Sequence, residues 1–378
     1  MGKKTVLIFD DSIDGHHVEY LSHLWTHTAI KSGQNYLFIV PKGFKAYIRD
    51  SDMDSVSHRQ VLYLTSEEST RLMASRGLKK SWITAKILSH YITQYNVTEV
   101  FAINLMALLP FFIIVNPRVQ VSGIIYMIYL YRWKNSGILA RSQDALKYYS
   151  FALMNNFRNI FILNDAPAAK LLNKLYRADK FRYLPDPVNT SKRSKYKDMR
   201  IELNAEGKTI LVHFGALTDR KGTLELLNSI PLLSENIRSN FCFVFAGKIY
   251  SDIREQFYDK LNSFKNRENI IVRDEFCSYD YINSLCYTAD MIMIPYKSTG
   301  ASSGVINYAA YFGKPVLGPY EGLLGKLIRK NKLGYCLKEI SGQSIASFLS
   351  EFPTIQYSKN TEFLMQNSID TFAKAILD

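Results

Sequence analysis

A chain of 378 residues is long for a single hydrophobic core, which stops growing near roughly 250 to 300 residues, and comfortable for two domains. Hydrophobic residues at 47% and charged residues at 21% exclude a disordered or low-complexity chain. The most apolar runs, Val100 to Val115 and Val119 to Tyr131, are separated by Asn116-Pro117-Arg118, and each falls short of the roughly 20 residues a membrane-spanning helix needs.

The formal charge of +13 favours anionic partners. It is uneven: up to Val188, 23 Lys and Arg face 14 Asp and Glu, a net +9. No zinc-finger spacing, aromatic RNA-binding motif or Arg/Lys block accompanies it, so no specific nucleic acid is expected. Cys242, Cys277, Cys286 and Cys336 show no C-x-x-C spacing and read as thiols in a reducing compartment. The start, MGKKTVLIFDDS, lacks the apolar region and cleavage site of a signal peptide. The expected location is the cytoplasm, or the inner face of its membrane.

In chain order, strand-like Thr5 to Phe9 precedes a helix from about Val18 to Lys31. Then come strands Tyr36 to Val40 and Val61 to Leu64, a long helix around Thr70 to Gln94, and strand Val100 to Ile103. Strand Val121 to Tyr129, a helix from about Ser142 to Asn155 and strand Ile160 to Leu163 follow. This alternation is the signature of parallel βαβ units. Two close prolines in LPDPV, then the lysine-rich run Asn189 to Lys197, mark a linker.

A second alternation begins at Thr209 to Phe214. It continues through a helix at Thr223 to Leu233, strand Cys242 to Ala246, a helix near Ile253 to Asn262, Ile270 to Val272, Tyr279 to Ala289, Met291 to Ile294, a helix after Ser302 and Val316 to Leu317. The fold class is therefore α/β, with two doubly wound, Rossmann-like domains facing a central cleft. They are residues 1–185 and 186–350, followed by a terminal helix, 351–378, that packs on one or the other.

Loops after the strands of such sheets carry ligands. In HFGALTDRKGTLELL, Gly215 allows a turn, Arg220 and Lys221 supply two cations, and Gly222-Thr223 open a helix, which suits a diphosphate. In STGASSGVINYAAYFGKPVLGPY, the hydroxyls and bare backbone of Ser298, Thr299, Ser302, Ser303 and Gly304 stand at another helix start, with Asn307 one turn on, suited to ribose hydroxyls. Each also has a bland reading, solvated loop charge or helix cap. Asp52-Met53-Asp54 lies in a polar loop and reads as a turn, so no metal is expected. His23 and His27, four apart, lack a third ligand.

FGALTDRKGTLELL, FVFAGK, IIVRDEF followed by TADMIMIPY, and SSGVINYAAYFGKPVLG together resemble the C-terminal nucleotide-sugar-binding domain of GT-B glycosyltransferases of the family-four type, over roughly Arg182 to Leu337. The first half is matched in architecture and in DDSIDGHHVEYL, which looks like the acceptor-side loop of such enzymes. The family's Arg after the first-loop glycine is Ala216 here, and its paired glutamates fall on Thr299 and Asn307.

The resemblance implies metal-independent transfer of a sugar from a nucleotide diphosphate sugar to a saccharide or lipid-linked acceptor, in surface polysaccharide or glycolipid synthesis and without a cofactor. Lys221, Arg220 and His17 carry catalysis. Gly215, Thr299, Ser302, Ser303, Gly304, Asn307 and Arg273, the last beside the base, bind the donor, and Gly15 and His16 lie on the acceptor side. His16 and His17 could equally be polar residues of a helix start. Tyr126 to Lys147 mixes aromatics and cations and offers peripheral contact with a membrane, or an ordinary loop. The missing glutamates leave a non-catalytic nucleotide-binding or scaffold subunit as the rival reading. A sugar-nucleotide epimerase would need more carboxylates, and a periplasmic binding protein a signal peptide.

Overall fold

A computed structural model describes residues 3–13, 15–31, 33–48, 57–126, 128–132, 137–188, 196–298, 300, 303–352 and 360–378. The chain divides into two compact units, Met1–Pro185 with Ile369–Asp378, and Asp186–Ser368.

The first unit is built on seven strands: β1 (Thr5–Phe9), β2 (Asn35–Val40), β3 (Arg59–Tyr63), β4 (Glu99–Ala102), β5 (Gln120–Ile125), β6 (Phe157–Leu163) and β7 (Phe181–Leu184). All pair in parallel, in the order β3-β2-β1-β4-β5-β6-β7. Runs such as TVLIF are apolar at every position because both faces of a parallel sheet are covered. Leu7 and Phe9 sit in one apolar layer with Ile83, Ile87 and Leu88 of helix Gly77–Gln94. Val6 and Ile8 sit in the other, with Leu21, Leu24 and Trp25 of helix His16–Thr28. Each such side chain contributes roughly 1.5–3 kcal/mol over an exposed one.

The second unit has six parallel strands: β8 (Thr209–Phe214), β9 (Phe241–Ala246), β10 (Ile270–Arg273), β11 (Met291–Met293), β12 (Val316–Pro319) and β13 (Gly334–Leu337). Their order is β10-β9-β8-β11-β12-β13. Both sheets thus reverse direction of growth beside their first strand, between β1 and β4 and between β8 and β11.

Three expectations change. The long helix around Thr70 to Gln94 is two, Ser66–Met73 and Gly77–Gln94, because Gly77 takes φ +54° and interrupts the helical path. The terminal helix is also two, Thr361–Gln366 and Ile369–Leu377. The break falls at buried Asn367, whose carbonyl accepts from the Val188 N–H at 2.7 Å and ties the returning chain to the departing one. Leu184, read with the two prolines that follow as the start of the linker, instead ends the edge strand β7. Among the described residues, no helix is long and apolar enough to cross a membrane.

Helix Ile369–Leu377 packs on helix His16–Thr28 through Phe372, 4.8 Å from the Tyr20 ring, and through Asp370, 2.7 Å from His27 Nε2. Beneath Phe372 the Nε2 of His23 is buried without a hydrogen-bond partner among the described residues, and burial pushes its pKa down to about 4. His23 is neutral in the folded chain, so protonation favours the unfolded one. Its stabilisation is whole above the ordinary histidine value near 6.5, is lost as pH falls through it, and the loss saturates near 4. Trp25 and Trp82 both lie in this unit. Their fluorescence should report a urea midpoint lower at pH 4.5 than at pH 7, equivalent to about 2–3 kcal/mol at most, and His23→Leu should remove most of that difference. An unchanged pH dependence in the variant would refute the assignment.

Candidate functional site

In open α/β sheets ligands bind beyond the strand carboxyl ends where the order reverses. In the second unit that point lies between β8 and β11, and the two loops there are locked together. Gly222, φ +67°, presses the start of helix Thr223–Ser229 so closely on the end of β11 that a Cβ would stand 1.8 Å from the Pro295 carbonyl oxygen. No other residue fits that contact without moving backbone. The carbonyl of Arg220 accepts from the N–H groups of Lys297, at 2.9 Å, and Ser298, at 3.3 Å. Lys297 Nζ reaches Asp219 at 2.5 Å and Glu225 at 2.9 Å. Burial alone would lower its pKa, but those two carboxylates outweigh it and hold it above the ordinary lysine value.

Lys221 stands inside this lock. It is only 8% exposed, its Nζ lies 5.4 Å from the Tyr296 ring centroid, and a Cβ on Gly215 would come within 2.8 Å of it. Among the described residues it makes no ion pair and no side-chain hydrogen bond. A buried ammonium facing only a ring and glycine backbone is under-compensated and invites an anion. Arg220, next to it, is exposed.

His213, the penultimate residue of β8, is fully buried. Its Nδ1 lies 2.9 Å from the Met293 carbonyl, to which Nδ1–H donates, and Nε2 lies 3.0 Å from the Thr223 hydroxyl. Burial, with the Lys221 charge nearby, pushes its pKa down to about 4. A neutral histidine therefore joins β8, β11 and the helix start, and holds the Lys221 loop in place. Nothing in the sequence distinguishes it from an ordinary strand residue.

After β11, the Ser303 hydroxyl lies 3.2 Å from that of buried Tyr296, and Gly304 caps helix Val305–Phe312. Asn307 is buried, with Nδ2 3.4 Å from the carbonyls of Asp186 and Pro187, so its amide nitrogen ties the helix to the linker, while Oδ1 is buried without a partner among the described residues. Thr299 and Ser302 lie outside the described residues, as do Asp52-Met53-Asp54. Gly215, Lys221, Ser303 and Gly304 thus gather at the switch strands. Arg273 ends the edge strand β10, two strands from β8, where it stacks on Tyr281 at 4.0 Å, pairs with Glu275 and borders a cavity of about 720 Å³.

In the first unit the loop after β1 carries the second constellation. Asp10 is 1% exposed, with Oδ1 accepting from the Ser12 N–H at 3.2 Å and Oδ2 2.6 Å from His17 Nδ1. The His17 ring stacks on Tyr126, centroids 5.5 Å apart, and among the described residues its Nε2 has no hydrogen-bond partner. Burial would lower the His17 pKa, but the Asp10 bond and charge and the Asp11 charge hold it above the usual value. Burial likewise raises the Asp10 pKa against the pull of His17. Gly15, φ +56°, turns the chain into the helix, and His16 stands at the surface, 3.7 Å from Glu19. Asp10 reads in sequence as a turn cap; its seven-residue spacing to His17 spans a loop and gives no periodic signal. His27 is held by Asp370 and the His23 carbonyl. Among the described residues no cluster could hold a metal ion.

Two parallel sheets with these strand orders define the GT-B fold, a fold of glycosyltransferases. HepE of Anabaena, solved with UDP and glucose, superposes with a TM-score of 0.71 at 14% identity, covering 100% of this chain and 98% of that one. A glycosyltransferase from Rickettsia africae gives 0.72 at 14% identity, covering 100% and 97%. WaaG, a glycosyltransferase involved in lipopolysaccharide biosynthesis, gives 0.64 at 14% identity, covering 98% and 94%. By sequence, lipopolysaccharide 1,2-N-acetylglucosaminetransferase of Salmonella typhimurium is 29% identical over 164 residues, a match that spans 42% of this chain and 43% of that protein. No family model matches the chain.

Proposed function

We propose that the protein is a glycosyltransferase that takes a sugar from a nucleotide diphosphate sugar and passes it to a saccharide or lipid-linked acceptor, in surface polysaccharide or glycolipid synthesis. The observation that carries this reading is buried Lys221 at the β8/β11 switch point, whose ammonium has no partner among the described residues. The relatives support it: HepE was solved with UDP-glucose, and the Salmonella relative is a lipopolysaccharide N-acetylglucosaminetransferase.

When the bond from the anomeric carbon to the diphosphate breaks, its electron pair leaves on the diphosphate. Lys221 stabilises that charge in place of a metal ion, with Arg220 and the backbone from Ser303 to Gly304 as further donors. On the acceptor side His17 takes the proton of the attacking hydroxyl through Nε2, while Asp10 fixes the ring. Gly15 and His16 shape the acceptor edge, and Thr299, Ser302, Asn307 and Arg273 complete the donor contacts. The protein works in the cytoplasm, at the inner face of the membrane when its acceptor is lipid-linked.

The test is thermal unfolding of the wild type against a panel of nucleoside diphosphates and their sugar conjugates. One base should stabilise, by about 2.7 kcal/mol at a hundredfold excess over Kd. No shift with any nucleotide, in a protein that melts cooperatively, would refute the donor site. Binding without turnover on any acceptor would instead favour the scaffold reading.

A further inference from the structure

Helices Ser66–Met73, Gly77–Gln94 and Phe111–Val115 of the first unit turn one side to the core and leave large apolar side chains on the other. Met73 is 73% exposed, Leu78 65%, Trp82 43% and Ile114 68%. Leu78 and Trp82 are one helical turn apart, and Trp82 packs edge-on against Phe111, ring centroids 5.3 Å apart, three residues before Ile114. Leu78, Trp82 and Ile114, joined through Phe111, form one face rather than single surface residues of the ordinary kind, and Met73 lies at the end of the preceding helix.

Arg71 beside this face pairs with exposed Glu67 at 3.7 Å. The exposed cations further along, Arg76, Lys79 and Lys86, stand in a stretch with no carboxylate, since the sequence holds none between Glu68 and Glu99, and Lys86 lies 4.8 Å from the Trp82 ring centroid. An indole set among leucine, isoleucine and cations matches the boundary between anionic headgroups and acyl chains. The same helix supplies Lys80, which pairs with Asp11 at 2.6 Å, so the face starts at the loop that carries Asp10 and His17.

We propose that this face docks the protein on a bilayer carrying anionic lipid and sets the His17 loop beside the headgroups. The proposal is independent of the donor chemistry, and its test reads no turnover. Helix Ile138–Leu153, in the region where the sequence offered membrane contact, has its own exposed stripe of Leu139, Leu146 and Leu153, but Lys147 there faces the Asp144 carboxylate at 3.9 Å and no tryptophan is described on it.

The full chain is sedimented with phosphatidylcholine vesicles, with and without phosphatidylglycerol, across a salt series. The wild type should bind the phosphatidylglycerol vesicles, weakly or not at all the neutral ones, and release with salt. Each basic side chain near such a surface is worth roughly fivefold in partition, so Lys79→Glu/Lys86→Glu should lose at least about tenfold. Leu78→Ser/Trp82→Ser should lose binding as well, and Leu139→Ser/Leu146→Ser should keep it.

Unchanged urea midpoints and nucleoside diphosphate binding separate lost docking from lost fold and from the donor site. If the serine pair unfolds, the charge-reversal pair decides alone. Equal binding by all variants, loss only in Leu139→Ser/Leu146→Ser, equal binding to neutral vesicles or no vesicle binding at all would each overturn the proposal. A dimer in light scattering that Leu78→Ser/Trp82→Ser dissolves, without vesicle binding, would give the face to a second copy and overturn it too.

Discussion

Replacing Lys221 by methionine should lower turnover of the nucleotide sugar about 10²–10³-fold, the loss typical of removing one preorganised donor from a developing charge, while leaving the ligand-free protein as stable as the wild type or more so. The two halves have one cause. Without ligand Lys221 is 8% exposed and its ammonium unpaired among the described residues, so its desolvation is poorly offset, and an apolar chain of similar length relieves it. With a diphosphate in place the same charge is paired in a water-poor site, where it interacts far more strongly than in bulk water.

Release of nucleoside diphosphate gives the rate, and urea midpoints the stability. The thermal shift with the diphosphate should also vanish in the variant. A Lys221→Met protein with normal turnover would remove Lys221 from the chemistry. One that unfolds much earlier without ligand would make it a structural residue instead.

The second large effect is expected at the Asp10–His17 pair. His17→Ala should lower turnover about 10²–10⁴-fold, the usual worth of a positioned base, with little change in nucleoside diphosphate affinity. Its pKa is held above the ordinary 6.5 chiefly against burial, by the Asp10 bond and charge, so the imidazole is free to accept a proton only above that value. Rate against pH should rise through a limb above 6.5 to a plateau. In Asp10→Asn the carboxylate no longer favours the imidazolium, so the limb should move to lower pH while the plateau itself falls, because the ring has lost its fixed orientation. A merely structural Asp10 would change the plateau or the stability but leave the limb where it is. A flat profile in the wild type would exclude His17 as the base.

Much of the frame was legible in the residues. Near-continuous apolar runs such as TVLIF and FCFVFA, set between helical stretches, mean strands buried on both faces, and that pattern is local in sequence. The glycines and cations of HFGALTDRKG and the small residues of SSGVIN likewise stood out, because close backbone approach and helix starts demand those residue types within a few positions.

The sequence by itself determined the α/β alternation, the linker and the two phosphate-loop candidates, since each rests on propensities a few residues wide. Tertiary structure alone decided what lies opposite what. Strand order put the β8 and β11 loops on one switch point and left Arg273 two strands away. Packing across 80 residues matched His213 to Met293, and across 78 it closed Lys297 on Asp219. The last helix went to the first unit because Phe372 and Asp370 find Tyr20 and His27 there. Burial of Lys221 and the raised pKa of His17 belong to the same level: a charge's environment is set by groups that meet only when the chain has folded, and no periodicity along the chain encodes them.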